Sequence, residues 1–191
     1  MKGINATHYD RIPAYPSAAK KRRHIVNAVI ETPKRSCHKF ALDPEYGIIA
    51  FKELLPKTLE WPYDFGFIPQ TLAPDGDPLD LILINDHGLF SGCLIKARIL
   101  GAIRETKDGT ENDRLIGVPL PSPGAPSPTD DYKKLSDVPA NILQEITGFL
   151  VDYSAREGHK VEIKTISDAD AAFKTVKATR KAFKKGRKQR A

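Results

Sequence analysis

Cysteine is scarce in this chain of 191 residues: there are only two, Cys37 and Cys93, with no Cys-x-x-Cys pair. That excludes a disulfide framework and a cysteine zinc site, and it suits a reducing compartment. The five histidines, His8, His24, His38, His87 and His159, fall at no metal-ligand spacing. No apolar run approaches the roughly 20 residues needed to cross a bilayer. The first residues, Met1-Lys2-Gly3-Ile4-Asn5, lack the apolar core of a signal peptide. The expectation is therefore a cytoplasmic protein with no membrane partner. No internal repeat is found, which excludes solenoids and propellers.

What is there is an ordinary globular composition with 40% hydrophobic and 28% charged residues, enough for one core. The net charge of +6 is uneven. Lys20-Lys21-Arg22-Arg23 and the segment from Lys174 to Arg190 carry much of the excess, while the acids cluster mid-chain. Basic ends are more often solvated than bound to nucleic acid. Nucleic acid is not favoured here, because no aromatics interleave with the basic residues of the central region.

Alternation over Val26, Ala28 and Ile30 predicts a strand from Ile25. The apolar stretches Lys39 to Leu42 and Gly47 to Phe51, split by Asp43-Pro44-Glu45-Tyr46, predict a hairpin. Further strands are predicted at 79–84, 93–103, 114–118 and 161–163. Ile142, Leu143, Ile146, Phe149, Leu150 and Tyr153 recur at helical spacing, and a second, basic helix is predicted over 169–182. Many short strands with helices only late imply an α+β fold: a small closed barrel with two or so C-terminal helices packed outside. The chain divides into an extended basic arm over 1–24, the barrel domain over 25–176 and a basic tail over 177–191.

The chemistry concentrates in Pro74-Asp75-Gly76-Asp77-Pro78-Leu79-Asp80, three carboxylates at the mouth of an apolar strand. Alternation puts Asp80 on the face of Ile82 and Ile84, where unpaired acids repel one another unless a cation intervenes. A solvated turn would also fit Asp-Gly-Asp-Pro. An EF-hand would not, since its sixth position requires glycine and this chain has Asp80 there. Hard oxygen donors in such a group suit Mg²⁺.

Together with Trp61-Pro-Tyr-Asp-Phe-Gly-Phe-Ile-Pro69 upstream, this stretch resembles the soluble family I inorganic pyrophosphatases, whose signature Asp-Gly-Asp-Pro-hydrophobic-Asp it matches residue for residue. The resemblance runs from about Val29 to about Val161. It implies a five-stranded OB-like barrel and hydrolysis of pyrophosphate to two phosphates by a metal-activated water. It also implies several Mg²⁺ ions per site, with Mn²⁺ as a substitute, and a homo-oligomer. By the resemblance Asp75 and Asp80 hold metal, Asp77 takes the proton of the attacking water, and Glu31 serves an outer ion. Lys39, Arg114 and Tyr153 then hold phosphate oxygens.

Departures from the family pattern fall on the same chemistry. A carboxylate is lost at Ala41, an arginine at Glu53, a tyrosine at Phe65 and a lysine at Ser154. Replacement cations are Lys34, Arg35, Lys52, Arg98 or Lys107. The family's second acid cluster, Asp-x4-Asp-x-Lys, fits "TKDGTENDRLIGV" in two registers. One gapped register supplies Asp108 and Asp113 as further metal ligands; the ungapped one supplies Lys107 and Asn112, with Arg114 on the lysine. The gapped register is preferred, because several ions need more anionic ligands. Two alternatives to a pyrophosphatase stay open: a weakened relative that binds phosphate or nucleic acid, and a hydrolase of another phosphoanhydride.

Overall fold

The computed structural model describes residues 8–17, 24–121, 124 and 126–188. Its first strand, β1 (Ile25–Thr32), is buried along its whole length, which explains why apolar residues occupy both of its faces. A hairpin follows, β2 (His38–Asp43) and β3 (Ile48–Leu54), then β4 (Asp64–Ile68) and β5 (Leu79–Leu83). The long β6 (Leu94–Lys107) turns into the two-residue β7 (Thr110–Glu111) and then β8 (Arg114–Pro119). Helix α1 (Ala140–Arg156), strand β9 (Val161–Asp168) and helix α2 (Ala169–Lys188) complete the order.

Strands pair in the order β1-β4-β5-β8-β6, and β6 returns to β1, closing a five-stranded barrel. Closure removes the exposed edges that an open sheet of these strands would leave. The expected α+β barrel with outer helices is the observed architecture. The hairpin β2–β3 forms a separate two-stranded sheet beside it.

Strand alternation sorts the apolar residues into two cores. One draws on all five barrel strands, including Val26, Ile68, Leu81, Ile99 and Leu115, and meets Ala172 and Val176 of α2. The other collects Phe65, Ile82, Ile84 and Ile116 beneath Ile146, Leu150 and Tyr153 of α1. In β6 the register shifts between Ile99 and Gly101, so Ala97, Ile99 and Ala102 share one core while Leu100 and Ile103 join the other. Asp80 stands between Leu79 and Leu81 of the first core, on the side of Ile82 and Ile84, as alternation predicts.

Three expectations change. β4 is not foreseen as a strand, since Pro62 and Pro69 flank it closely and Gly66 interrupts its aromatics. The glycine is required there: a Cβ would overlap the Val29 carbonyl oxygen and lie 2.9 Å from the Ile30 Cα. In the arm expected over 1–24, residues 8–17 pack on the barrel, with Ala14 fully buried and its carbonyl accepting from the Asn27 amide at 2.9 Å. The basic run at 20–23, the last residues 189–191, and residues 122, 123 and 125 lie outside the described residues. Residues 177–188, expected as a tail, continue α2, because Val176 and Thr179 anchor that helix to the body.

Candidate active site

Asp75, Gly76 and Asp77 form a tight turn before β5. The Ala73 amide donates to the Asp77 carbonyl at 2.8 Å, the Asp77 amide donates to Asp75 Oδ1 at 3.1 Å, and Gly76 takes a φ of 97°. That positive φ is open to glycine at little cost. The turn sits at the mouth of a cavity of about 910 Å³ bounded by the hairpin, the start of β5 and the end of α1. Asp75, Asp77, Asp80, Glu31, Lys39 and Tyr153 all line it. Residues spread from position 31 to position 153 therefore meet around one cavity.

Their environments differ. Glu31 is buried on β1, and its Oε1 accepts from the Leu42 amide at 2.7 Å. Burial, aided by Asp77, still pushes its carboxyl up to about 7. Asp77 is open to solvent on one side, yet partial burial in the cavity wall, and then Asp75, push its carboxyl upward. Asp80 meets the Arg114 guanidinium, whose Nε also donates to Glu105 Oε1 at 3.0 Å. Arg114 lies over the Phe65 ring at 5.3 Å, so Phe65 gives this cation a flat apolar seat. Burial lowers the guanidinium to about 10, which leaves it charged at neutral pH.

The stretch after β6 settles into one register. Thr106 pairs with Glu111 and Lys107 with Thr110, so Asp108-Gly109 is a two-residue hairpin turn with φ of 50° and 81°. Both residues take the left-handed conformation that such turns demand and that Asp-Gly supplies. Strand alternation then faces Asn112 and Arg114 to the cavity and Asp113 away from it. Lys107 and Asn112 line the cavity, whereas Asp113 does not. The expected placement of Asp113 among the metal carboxylates is thereby corrected: it is held by Arg104, which also donates to Thr175 Oγ1 at 2.6 Å. Asp108 reaches only the rim, where its carboxylate is engaged by His159 Nδ1 at 2.6 Å and the Lys160 amide at 2.9 Å. With its amide oriented to satisfy both neighbours, Asn112 donates to Asp75 Oδ2 and accepts from Arg114 Nη2, each at 3.1 Å.

On the opposite wall Lys39 donates to the Tyr153 hydroxyl, which lies 2.6 Å from both Glu53 Oε1 and Glu157 Oε1. Trp61 positions this tyrosine, its ring centre 5.4 Å from that of Tyr153 and 4.8 Å from that of Phe65. Of the replacement cations named from the sequence, Lys52 and Lys107 line the cavity. Lys34 instead donates to the Asn85 carbonyl at 2.8 Å, and Arg98 to the Tyr132 carbonyl at 3.3 Å. Two residues escape the sequence reading. Glu157 follows Tyr153 by one helical turn, a spacing that signals a shared face. Glu105 carries no such signal, because its partner Arg114 is set by strand pairing.

Among the described residues no three His, Cys, Asp or Glu side chains form a ready-made metal cage. The donor chemistry nevertheless fits a hard divalent ion at the Asp75–Asp77–Asp80 edge. It offers only oxygen ligands, carries excess negative charge and opens to solvent, which leaves room for the waters that Mg²⁺ retains.

Residues 28–184 match the family model of the inorganic pyrophosphatases. The chain is 36% identical over 152 residues to an inorganic pyrophosphatase of Halalkalibacterium halodurans, covering 80% of this chain and 91% of that protein. It is 35% identical over 175 residues to one of Synechocystis, covering 91% and 98%. The crystal structure of an inorganic pyrophosphatase from Neisseria gonorrhoeae aligns at a TM-score of 0.82 and 26% identity, over 92% of this chain and 99% of that one. With the barrel shared along nearly the whole of both chains and the Asp75–Asp80 turn at its mouth, this chain belongs to the inorganic pyrophosphatase family.

Proposed function

We propose that this chain hydrolyses inorganic pyrophosphate to two phosphates with the help of Mg²⁺. The observation that carries the reading is the convergence of Asp75, Asp77 and Asp80 with Lys39, Arg114 and Tyr153 around one cavity. A bound divalent ion at Asp75 and Asp80 would shield substrate charge and acidify water. The protein's own part begins with binding: the Lys39 ammonium, the Arg114 guanidinium and the Tyr153 hydroxyl take phosphate oxygens. Water oxygen attacks one phosphorus, the bridging P–O bond breaks, and the second phosphate leaves with that bond's electron pair. Asp77 accepts the proton of the attacking water, and its raised basicity suits that task. Asn112, between Asp75 and Arg114, keeps the two apart and oriented.

Self-association and a cytoplasmic setting belong to the same reading. Exposed Ile48, Phe51 and Leu54 on the hairpin support the first. Free Cys37 and Cys93 support the second. Among the described residues no helix is long and apolar enough to cross a membrane.

The test is phosphate release from pyrophosphate in millimolar Mg²⁺, with chelator and with Asp80→Ala as controls. Metal-dependent release well above that of Asp80→Ala is expected. Release no faster than that of the variant would leave a pyrophosphatase-like binding protein instead.

A further inference from the structure

Lys39, Glu53 and Glu157 converge on the Tyr153 hydroxyl, and Lys107 joins the group through Glu157. Lys39 Nζ lies 3.4 Å from Glu53 Oε1 and 3.4 Å from Glu157 Oε1, and Lys107 Nζ lies 3.6 Å from Glu157 Oε2. The Tyr153 hydroxyl, which has one proton to give, touches both carboxylates at 2.6 Å. The formal charges of this network cancel, so it has no surplus negative charge to draw a divalent cation. An ion placed here would also face two ammonium groups at short range.

The strand that supplies Lys107 reinforces the asymmetry. Between 107 and 114 the β6–β7 turn delivers Lys107, Asn112 and Arg114 to the cavity, leaves Asp108 at its rim against His159 and the Lys160 amide, and turns Asp113 away to Arg104. The segment therefore sets two cations and a neutral amide against one carboxylate, Asp108, which His159 already engages, while Asp113 is held by Arg104. Across the cavity the situation reverses. Asp80 pairs with the Arg114 guanidinium, Asp75 accepts an uncharged amide, and Asp77 feels Lys52 and Arg114 only at a distance, so the acids outnumber the cations in contact with them.

We propose that this wall of the site is a metal-free ion-pair network in which Lys107 supplies positive charge in place of a divalent ion. Divalent cations then bind only at the opposite edge, against Asp75 and Asp80. The inference rests on the hydrolase reading and refines it by limiting where metal enters. Lys107 is a positioning residue here: it holds Glu157, which in turn braces Tyr153 and Lys39.

Mn²⁺ binding to the full chain, followed by calorimetry and by the EPR signal of free Mn²⁺ without substrate, tests this. Asp80→Asn is expected to weaken binding at least tenfold, whereas Glu157→Gln leaves the number of bound ions unchanged. Lys107→Asp combined with Asn112→Asp is expected to bind at least one further ion per chain, thermal melts confirming that it folds. A lower ion count in Glu157→Gln would place metal on the Tyr153 wall and overturn the proposal. So would an ion count in the folded double variant equal to that of the unaltered chain. Absence of Mn²⁺ binding to the unaltered chain is a different result; it would remove the hydrolase reading and this one with it.

Discussion

Asp77 and Asp80 sit three residues apart, yet the structure puts them in different company. Asp80 is paired with Arg114, while Asp77 faces the cavity with a carboxyl pushed upward by partial burial and by Asp75. Replacing Asp77 by Asn is expected to preserve Mn²⁺ binding and to slow turnover by about 10²–10⁴-fold, the usual worth of a general base. Calorimetry beside steady-state phosphate release checks it, and loss of metal binding in Asp77→Asn would reverse the two roles. Glu31 makes a second prediction. Its carboxyl titrates near 4.5 when exposed and about 7 in the fold, so the native state holds its proton more tightly. Its contribution is fully present below pH 4.5 and is lost as pH rises through about 7. In chelator, Glu31→Gln should gain stability relative to the unaltered chain across that window, by at most on the order of 3 kcal/mol. Melts from pH 4.5 to 8 read the difference, and a constant offset would show that Glu31 does not titrate there.

At the scale of elements, the site depends on how closely β4 approaches β1. Gly66 pairs with Ile30, and a side chain at that point meets the β1 backbone rather than a movable neighbour. Gly66→Ala is expected to destabilise the barrel by about 3 kcal/mol or more. For a chain of this length that lowers Tm by roughly 6–12 °C. A Tm within a degree of the original would mean that β4 relaxes away from β1 without cost. The β6–β7 turn shows the same coupling of backbone to chemistry. Asp108-Gly109 sets a two-residue connection, and that connection decides which of the following side chains face the cavity.

For the whole molecule, the cavity joins parts of the chain that are distant in sequence: Lys39 and Tyr153 are separated by 114 positions. A ligand that bridges such parts stabilises the folded state by mass action. Mg²⁺ at about a hundred times its Kd should add about 2.7 kcal/mol, and chelator should remove it. Asp80→Asn should show little of this shift. An equal Mg²⁺ shift in Asp80→Asn would place the ion away from the Asp75–Asp80 turn.

Much of this was legible in the residues themselves. Alternation along 79–84 and 25–30 identified strands and the face that Asp80 shares with Ile82. Helical spacing brought Tyr153 to the buried side of α1. The unbroken Asp75-Gly-Asp-Pro-Leu-Asp80 pattern, taken with Trp61 to Pro69 upstream, pointed to the family by its resemblance to that family's signature. Those features are local, governed by periodicity and turn chemistry within a few residues. The register of 106–114 was not local. It depended on the pairing of β6 with β7 and on Arg104, anchored through Thr175 of α2, drawing Asp113 away from the cavity. The sequence by itself determined the barrel, the family and the acid turn. Only the tertiary structure decided that Lys107 and Asn112 line the cavity and Asp113 does not, because strand pairing and long-range ion pairs select the face each side chain shows.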